Sequence, residues 1–413
     1  MKILLVSQYF WPESFIISEL VKCLVADGHT IEVLTGKPNY PDGDIFDGYS
    51  AKGCTTEYFN EVVKVHRVPI CPRGKGGGRR LLINYLSFVF SGLFFFHRMI
   101  KSTQFDVIFV FTPSPVTSVI PAMYLKKRLK LPLAVWVQDL WPETLSATGF
   151  IKNRFLLRAV GRLVRWIYHS ADMLLVQSKA FQKPVAQYAI EEKIVYYPNS
   201  YIDTFPIAAE EDAIPKALLS ELQRHCCLVF AGNLGTAQSL ETIVGAAERL
   251  KQLSAIKIIL IGSGSMGEWI AGQIKARGLD NLILAGRFPP ALMPVIFSKA
   301  KGLLVTLKRD EIFSYTIPSK IQAYLAAGRP IIASLDGEGS RIITEAKAGL
   351  TSAAQDVNAL AENIEHFYQM PATLRDEMGK AGRAYFLKHF EMISQGRYLI
   401  EILEKRISKK EIS

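Results

Sequence analysis

Apolar runs that end in polar or glycine-rich turns recur along the chain, and apolar residues at helical spacing separate them. The run at 2–8 (KILLVSQ) is followed by Ile16, Leu20 and Leu24 and then by a second run at 31–35. A strand, a helix and a strand within about 35 residues predict a βαβ unit and a parallel sheet. The opening MKILLVSQYF therefore reads as a first buried strand and not as a signal peptide. Further strands are predicted at 62–69, 105–113, 133–139 and 172–178.

The pattern restarts in the second half of the chain. Strands are predicted at 227–235, 256–265, 281–287, 302–307 and 330–334, with a helix at 239–253 after the first of them. A chain of 413 residues is longer than one core usually organises. We therefore predict an α/β protein with two Rossmann-like domains, whose parallel sheets face a central cleft. The predicted parts are an N-terminal domain (1–198), a linker (199–222), a C-terminal domain (223–388) and a helix at 389–413. We expect this helix to return toward the first domain because that crossing is a habit of such two-domain architectures, not because the periodicity shows it.

The charge is unevenly distributed between the two halves. The formal net charge is +11, and residues 1–200 hold 24 Lys and Arg against 15 Asp and Glu. Between residues 73 and 168, 15 basic residues stand against three acidic ones. Such a bias indicates an anionic partner, which could be nucleic acid, lipid headgroups or a phosphorylated substrate. Nucleic acid is disfavoured because the sequence contains no groove-reading or base-stacking module.

The five cysteines include no Cys-x-x-Cys pair, which favours neither a disulfide framework nor a zinc site and fits a reducing cytoplasm.

A very apolar segment at 81–96 (LLINYLSFVFSGLFFF) follows Arg79 and Arg80. It is shorter than the roughly 20 residues that a spanning helix needs. We predict a helix embedded in the interface of one membrane leaflet, with Phe88, Phe94 and Phe95 on it; a core helix packed on the sheet is the alternative.

Residues 151–168 (IKNRFLLRAVGRLVRWIY) predict a basic amphipathic helix. Arg154, Arg158, Arg162 and Arg165 recur on one face, and Leu156 to Ile167 supply the apolar side. Such a helix suits an anionic lipid surface. The alternative is an ordinary surface helix of a basic protein.

Two short motifs have both a functional and a simpler interpretation. GSGSMG (262–267) matches the dinucleotide fingerprint, but the next predicted strand ends in Gly286-Arg287 instead of the acid that a ribose requires. A turn whose amides face a nucleotide remains plausible. Asp42 and Asp44 form an Asp-x-Asp pair in a turn-rich loop, where solvated turn carboxylates are the preferred interpretation, so we predict no essential metal.

TIPSKIQAYLAAGRP (316–330) predicts a helix that Pro318 and Ser319 open, with Ser319 as cap or early-turn residue. Lys320 then lies at the positive end of the helix, where an ammonium and free amides receive a diphosphate well. A simple capped helix with an exposed lysine is the alternative. Asp139 follows a predicted strand, where it could contact sugar hydroxyls beside Trp141 or merely cap a helix.

At these residues the chain resembles the retaining GT-B glycosyltransferases of family four, and within them the bacterial N-acetyl-L-fucosamine transferases of O-antigen and capsule assembly. The resemblance rests on the motifs SQYFWPES, DGHTIEVLTGKPNYPDG, WVQDLWPE, YYPNS, FAGNLGTAQSLE, IGSG and IPSKIQAYLAAGRPIIAS. It implies a hexosyltransferase that moves a sugar, such as N-acetyl-L-fucosamine or a related deoxy-amino sugar, from a UDP-sugar to a polyprenyl-diphosphate-linked acceptor with retention of configuration. It further implies no cofactor, inner-leaflet anionic lipid as a partner, and a peripheral or monotopic location on the cytoplasmic face of the bacterial inner membrane.

The residue patterns and the resemblance together give the expected roles of individual residues. Asp139 and Lys320 are the expected catalytic groups, and Glu13, Ser14, Asp139 and Trp141 the expected acceptor contacts. The expected donor-binding residues are Gly232, Asn233, Gly235, Gly262, Gly264, Arg287, Ser319, Lys320 and Glu338.

The chain departs from the family pattern at several of these places. Tyr315 and Ala323 replace two family glutamates, whose contacts therefore cannot be carried over, and Glu338 is the candidate substitute for one of them. Gln238 replaces a family lysine, which leaves the diphosphate to Lys320 with Arg287, and Glu13-Ser14 replaces a double glycine. Two other classes remain open: a UDP-sugar epimerase on the same architecture, and a non-catalytic membrane scaffold.

Overall fold

In the computed structural model the chain divides into two compact units, each built around its own sheet. Unit 1 comprises Met1–Asn199 together with Met392–Ser413, and unit 2 comprises Ser200–Glu391. The structure describes residues 1–74, 77–100, 104–147, 149–151, 153–205 and 213–411, of which 409–411 by backbone alone.

Unit 1 is an eight-stranded sheet with helices on its faces, in the strand order β3-β4-β2-β1-β5-β6-β7-β8. Its elements in chain order are β1 (Lys2–Val6), α1 (Ile16–Ala26), β2 (Thr30–Gly36), β3 (Thr55–Phe59), β4 (Val63–Val68), α2 (Gly78–Met99), β5 (Val107–Thr112), α3 (Ile120–Leu129), β6 (Leu133–Val137), α4 (Glu143–Ala147), α5 (Arg154–Ser170), β7 (Met173–Val176), α6 (Gln182–Ala186) and β8 (Ile194–Tyr196).

The central strands of unit 1 are buried on both faces, which explains why they read as continuous apolar runs. Neighbouring strands pair in parallel except at one edge, where β3 runs antiparallel to β4. The sequence signal missed β3 because only Phe59 of that strand is buried, which leaves little apolar pattern to detect. The short edge strand β8 was missed as well.

Unit 2 is a six-stranded sheet in the order β11-β10-β9-β12-β13-β14, and each pairing described there is parallel. Its elements are α7 (Lys216–Arg224), β9 (Cys226–Ala231), α8 (Leu240–Arg249), β10 (Ile256–Ile261), α9 (Gly267–Arg277), β11 (Leu282–Gly286), α10 (Met293–Lys299), β12 (Gly302–Thr306), α11 (Glu311–Tyr315), α12 (Ser319–Ala326), β13 (Ile331–Ser334), α13 (Glu338–Glu345), β14 (Gly349–Ser352), α14 (Val357–Gln369) and α15 (Ala372–His389).

The predicted linker is only partly irregular. Its last part carries α7, whose Leu218 and Leu222 are buried in the core of unit 2 together with Ile214. The acidic and proline-bearing composition of 199–222 hid this helix. Residues 206–212 of the predicted linker lie outside the described residues.

The last helix, α16 (Met392–Glu411), belongs to the core of unit 1. Its Leu399 and Leu403 are buried in the same cluster as Leu20 and Leu24 of α1. Tyr197 completes this contact by donating a hydrogen bond from its hydroxyl to the carbonyl of Gln395 at 3.1 Å.

The segment where the chain enters unit 2 is hydrogen-bonded to the segment where it leaves unit 2. Tyr201 forms an isolated parallel bridge with Glu391, and the Tyr201 amide donates to the Phe390 carbonyl at 2.8 Å. Arg383 adds an ion pair with Asp203, with 2.6 Å between Nη2 and Oδ2. The first residues of unit 2 are therefore held against its last ones.

Candidate active site

A cavity of about 540 Å³ lies at the carboxyl ends of the strands of unit 2. Its wall combines the turns after β9, β10 and β11 with the first turn of α12. This is the edge at which open α/β sheets bind their ligands, and the volume suits a small organic ligand. The lining residues are Tyr201, Ala231, Gly232, Asn233, Ile261, Gly262, Ser263, Arg287, Phe288, Pro290, Met293, Phe297, Ser319, Lys320, Ala323 and Tyr324.

Glycine is required at two adjacent turns of this wall because their backbones touch. A Cβ on Gly262 would lie 1.8 Å from the Gly232 carbonyl oxygen, and a Cβ on Gly232 would lie 2.6 Å from Cε of Lys320. Both glycines also have positive φ, 142° and 135°. Ordinary side chains cannot occupy these positions, so the backbone itself forms this part of the wall.

Lys320 is the cation at the centre of the cavity wall. Its Nζ lies 3.7 Å from the centroid of the Phe230 ring and donates a hydrogen bond to Oε1 of Gln238. Both partners are neutral, so burial of the ammonium is not offset by a carboxylate in the described part of the chain. Burial therefore lowers the pKa of Lys320 to about 7.

The cavity is suited to an anion. Lys320 and Arg287 both line it, and none of its lining residues is acidic. The first turn of α12 adds N–H groups that have no partner within the helix. Because no carboxylate lines the wall, the cavity also offers none of the side chains that Mg²⁺ prefers.

Six of the nine expected donor-binding residues line this cavity, and three do not. Gly235 and Gly264 lie in the two turns but do not line the cavity. A Cβ on Gly264 would lie 2.5 Å from the Leu234 carbonyl group, so this glycine allows the two turns to pack closely. Glu338 is 5% exposed and forms an ion pair with Arg341 at 2.9 Å, so its carboxylate is committed within α13.

Ser319 lines the cavity, but not as a helix cap. Pro318 occupies the N-cap position of α12, and no side-chain cap hydrogen bond is formed there. The aromatic part of the wall, Phe288, Phe297, Tyr201 and Tyr324, was missed by sequence reasoning. Tyr201 comes from the segment predicted as linker, and no local pattern marks the others as lining residues.

Glu13 does not have the environment expected of an acceptor contact. It is 3% exposed, and its Oε1 accepts hydrogen bonds from the amides of Asn39 at 2.8 Å and Tyr40 at 2.9 Å. Its Oε2 accepts from the Phe10 amide at 3.1 Å. Burial raises the pKa of Glu13 to about 7, against these three N–H groups, which lower it. The carboxylate joins two loops of unit 1, while the neighbouring Ser14 is exposed.

Asp139 lies beyond the end of β6, where the sequence places it, and is half-buried. Burial raises the pKa of Asp139 to about 6, and its hydrogen bond with Ser114 opposes that rise. Trp141 is also half-buried, and its Nε1 has no hydrogen-bond partner among the described residues. Asp139 therefore holds a proton more readily than an ordinary carboxylate near neutral pH.

Helix α2 has one face in the protein and one face in solvent. Asn84, Phe88, Val89, Gly92 and Phe96 are buried, and Phe88 packs edge-on against Phe96 at 5.8 Å. The prediction that Phe88 meets lipid is therefore wrong, because helical periodicity turns it toward the core. The opposite face exposes an apolar stripe, defined here as Leu82, Ile83, Leu86, Phe90 and Phe94.

This stripe lies beside exposed charge. Arg79 and Arg80 are exposed at the start of α2, and Phe95 is half-buried. By length and composition α2 is sufficient to cross a membrane, but its inner face packs on α3 and β4. Helix α2 therefore packs one side on unit 1 and leaves the apolar stripe on its other side exposed.

Helix α5 exposes all four expected arginines, Arg154, Arg158, Arg162 and Arg165. Val164 and Ile167 are buried on the opposite side, but the first turn exposes Phe155 at 78% and Leu156 at 50%. The arginine face and an apolar first turn therefore occur on one helix of unit 1.

No group of three or more metal-ligating side chains occurs in the part of the chain that the structure describes. Asp42 and Asp44 are both exposed in their turn. The five cysteines are free.

Both units match known protein families. Residues 15–200 match the glycosyl transferase 4-like domain, and residues 221–385 match the glycosyl transferases group 1. The chain is therefore a glycosyltransferase built from these two domains, of the class that uses a nucleotide sugar. The predicted pair of Rossmann-like α/β domains, the GT-B fold, is confirmed.

The chain is similar to several individual proteins. It is 24% identical, over 75% of its own length and 76% of the relative's, to the putative colanic acid biosynthesis glycosyl transferase WcaI of Escherichia coli strain K12. Among solved structures, sucrose-phosphate synthase from Thermosynechococcus elongatus has a TM-score of 0.73 at 17% identity and covers 99% of both chains. Anabaena HepE in complex with UDP has a TM-score of 0.66 at 14% identity, with 98% of this chain and 100% of that chain covered.

We predict that Gly262→Ala abolishes tight nucleotide binding. The added Cβ would meet the Gly232 carbonyl oxygen, so the two turns would separate and the wall around Lys320 would shift. We expect the affinity for UDP, measured by calorimetry, to fall at least about tenfold. The matched control is Gly267→Ala, where a Cβ meets nothing within 4 Å, and it should bind within about twofold of wild type. Equal affinity of the two variants would contradict the assigned contact.

We predict that UDP binding weakens above pH 7. Below the pKa of about 7 the Lys320 side chain is charged and ready for a phosphate, whereas above it binding must first recruit a proton. Affinity should therefore fall by up to about tenfold for each pH unit between pH 7 and 9, a range in which the terminal phosphate, with a pKa of about 6, is already ionised.

Calorimetry at pH 8 in buffers of different ionisation enthalpy measures how many protons are taken up when UDP binds. We expect close to one proton taken up for each UDP bound by the wild type, and almost none by Lys320→Gln. Identical proton uptake in both proteins would show that Lys320 is not the group that takes up the proton.

Proposed function

We propose that the protein is a membrane-associated retaining hexosyltransferase, which moves a sugar from a UDP-sugar to an acceptor sugar linked to a polyprenyl diphosphate. Unit 2 binds the donor, and unit 1 binds the acceptor and the membrane. The observation that carries the proposal is the uncompensated Lys320 ammonium in a cavity whose wall contains no acid.

The donor assignment rests on charge and on relatives. A nucleoside diphosphate brings negative charge to a wall that supplies Lys320, Arg287 and the turns at Gly232 and Gly262. HepE has been solved with UDP and glucose, and a trehalose-6-phosphate enzyme of E. coli with UDP-2-fluoro glucose. The second of these has a TM-score of 0.69 at 13% identity.

The proposed reaction uses the diphosphate as both leaving group and base. The acceptor hydroxyl oxygen forms a bond to the anomeric carbon on the face from which UDP departs, and the bond from that carbon to the phosphate oxygen breaks. The hydroxyl proton passes to a phosphate oxygen. Lys320 stabilises the charge that builds on the departing phosphate. This route needs no protein nucleophile and no metal, in keeping with an acid-free wall.

Asp139 orients the acceptor in this proposal. Its position at the carboxyl edge of the unit 1 sheet and its bond to Ser114 suit a hydrogen bond to a sugar hydroxyl. Trp141 supplies a neighbouring aromatic surface. Burial holds the pKa of Asp139 near 6, so this carboxyl group can also share a proton at neutral pH.

The membrane assignment rests on the apolar stripe of α2 and the arginine face of α5 in the same unit. Together they combine apolar and cationic contacts, which is the requirement for stable attachment to an anionic leaflet. Donor nucleotide sugars and free cysteines suit the cytoplasmic face of a bacterial inner membrane. The relative WcaI supports a role in polysaccharide assembly, and N-acetyl-L-fucosamine or a related deoxy-amino sugar is our proposed cargo.

The function is tested with a panel of UDP- and GDP-sugars, by following donor hydrolysis and transfer to a lipid-linked acceptor in the presence and absence of EDTA. We expect UDP-sugars to be used, chelation to have no effect, and the product to keep the anomeric configuration by NMR. Interconversion of the donor without transfer would indicate an epimerase. Absence of UDP binding by calorimetry would indicate a scaffold.

We predict that Lys320→Gln lowers transfer by about tenfold to a hundredfold, because a charged hydrogen bond to the leaving diphosphate is lost. The matched control is Lys380→Gln, which removes an exposed lysine of α15 and should keep transfer within about twofold. Circular dichroism checks that both variants fold. Transfer by Lys320→Gln within a few-fold of wild type would refute the assigned role.

We predict that replacing Arg154, Arg158 and Arg162 together by Gln weakens binding to phosphatidylglycerol vesicles about a hundredfold in flotation assays. Binding should also fall with salt. The matched control removes three exposed lysines of unit 2, Lys251, Lys275 and Lys380, and should leave partition unchanged. Equal loss in both triple variants would mean that only net charge matters.

A further inference from the structure

A second group of side chains gathers at the carboxyl edge of the unit 1 sheet. The strand order reverses between β1 and β5, and this is the point where open α/β sheets bind ligands. Tyr9 follows β1, Ser114 follows β5 and Asp139 follows β6, while Tyr40 follows β2 on the next strand outward. All of these residues belong to unit 1, whereas the residues that line the cavity described above belong to unit 2.

Aromatic rings form one wall of this edge. The Tyr9 and Phe15 rings stack at 5.3 Å with 16° between their planes, and Tyr40 lies 5.7 Å from Tyr9 and 5.0 Å from Phe15. Tyr40 remains 37% exposed. A rigid ring with a polar tip that stays in solvent is suited to packing on a sugar.

Arg73 supplies positive charge beside these rings. Its Cζ lies 5.0 Å from the centroid of Tyr40, and no carboxylate lies within ion-pair distance of it in the described part of the chain. Its charge lowers the pKa of both Tyr9 and Tyr85, although burial raises the pKa of each more strongly. A half-buried guanidinium without a counter-charge favours an anionic ligand.

Buried polar atoms without partners occur along the same edge. Oε1 of Gln8, Nε2 of Gln138 and Nε1 of Trp141 make no hydrogen bond among the described residues. Gln8 and Gln138 follow β1 and β6, and they are only 1% and 9% exposed. Buried polar groups in proteins normally have partners, so several orphans at one edge indicate a polar ligand.

The loops that carry Tyr40 and Arg73 are fixed in place. Oδ1 of Asn39 accepts a hydrogen bond from the Arg73 amide at 3.3 Å, and Glu13 holds the Tyr40 amide. Asn84, the buried polar residue of α2, donates to the Cys71 carbonyl at 2.7 Å and accepts from Nε2 of Gln8 at 2.8 Å. The edge is thereby tied to α2, whose first residue is Gly78.

We propose that this edge binds an acceptor in which a sugar is joined through phosphate to a lipid, with Arg73 on the phosphate and the exposed Tyr40 ring on the sugar. The inference rests on the proposed function and adds Arg73 and Tyr40 to its acceptor site as binding residues.

The test measures direct binding of farnesyl diphosphate to the full-length, detergent-solubilised protein, with the protein's intrinsic fluorescence as the signal. Saturating UDP is present so that the donor cavity is occupied. We expect Arg73→Gln to weaken binding about tenfold or more, and farnesol, which lacks the phosphates, to bind weakly to both proteins. The matched control is Arg128→Gln, an exposed arginine in the last turn of α3, which should bind as the wild type does.

A second arm separates a phosphate on the acceptor from a lipid headgroup. Arg73→Gln should partition onto phosphatidylglycerol vesicles as the wild type does. Unchanged farnesyl diphosphate binding in Arg73→Gln, or a loss confined to vesicle binding, would overturn the inference. Failure of the wild type to bind UDP would instead defeat the proposed function, so the two failures are distinguishable.

A sugar-bearing probe completes the assignment of Tyr40. With farnesyl diphosphate linked to N-acetylglucosamine as the ligand, Tyr40→Ala should lose the additional affinity that this sugar gives the wild type and keep the affinity for farnesyl diphosphate. If Tyr40→Ala weakens both ligands equally, or neither, the ring does not contact the sugar.

Discussion

The cavity of unit 2 depends on an ammonium group that is buried without a matching carboxylate. Desolvation of Lys320 costs free energy that the Phe230 ring and the Gln238 amide offset only in part. Burial without a counter-charge lowers the pKa of Lys320 to about 7, and an anion that enters the cavity would stabilise its charged form. The close contact of the turns at Gly232 and Gly262 belongs to the same arrangement, since it brings backbone and ammonium to one wall. A side chain at either glycine, or an acid beside the lysine, would remove the property that selects an anion.

Much of the fold could be predicted because parallel strands buried on both faces leave an unmistakable apolar run. Three of the four edge strands, β3, β8 and β14, escaped prediction for the opposite reason, because they bury little and no apolar run marks them. Helix α7 was hidden because its two buried leucines lie in an acidic, proline-bearing stretch. Phe88 lies four residues after Asn84 and therefore on the same face of α2. Taking the polar Asn84 as a sign of the inner face would have assigned Phe88 to the core.

The site was predictable where backbone geometry limits the residue type and not where tertiary contacts decide. The glycine turns and the lysine at the start of a helix were found because few residues can occupy those places. Glu338 failed because its commitment to Arg341 depends on one turn of α13 that no motif reports. Glu13 was predicted to contact the acceptor, and only the structure shows that three backbone amides use its carboxylate.

Unit 1 is discontinuous in the chain, because α16 returns to fill the core that α1 begins, whereas unit 2 is a single uninterrupted segment. During synthesis on the ribosome the second half of the molecule therefore has everything it needs to fold before the first half does. The apolar surface of α1 stays exposed until α16 has been synthesised. A nascent chain that stalls before α16 would thus present a complete unit 2 and a unit 1 whose core is still open on the side of α1.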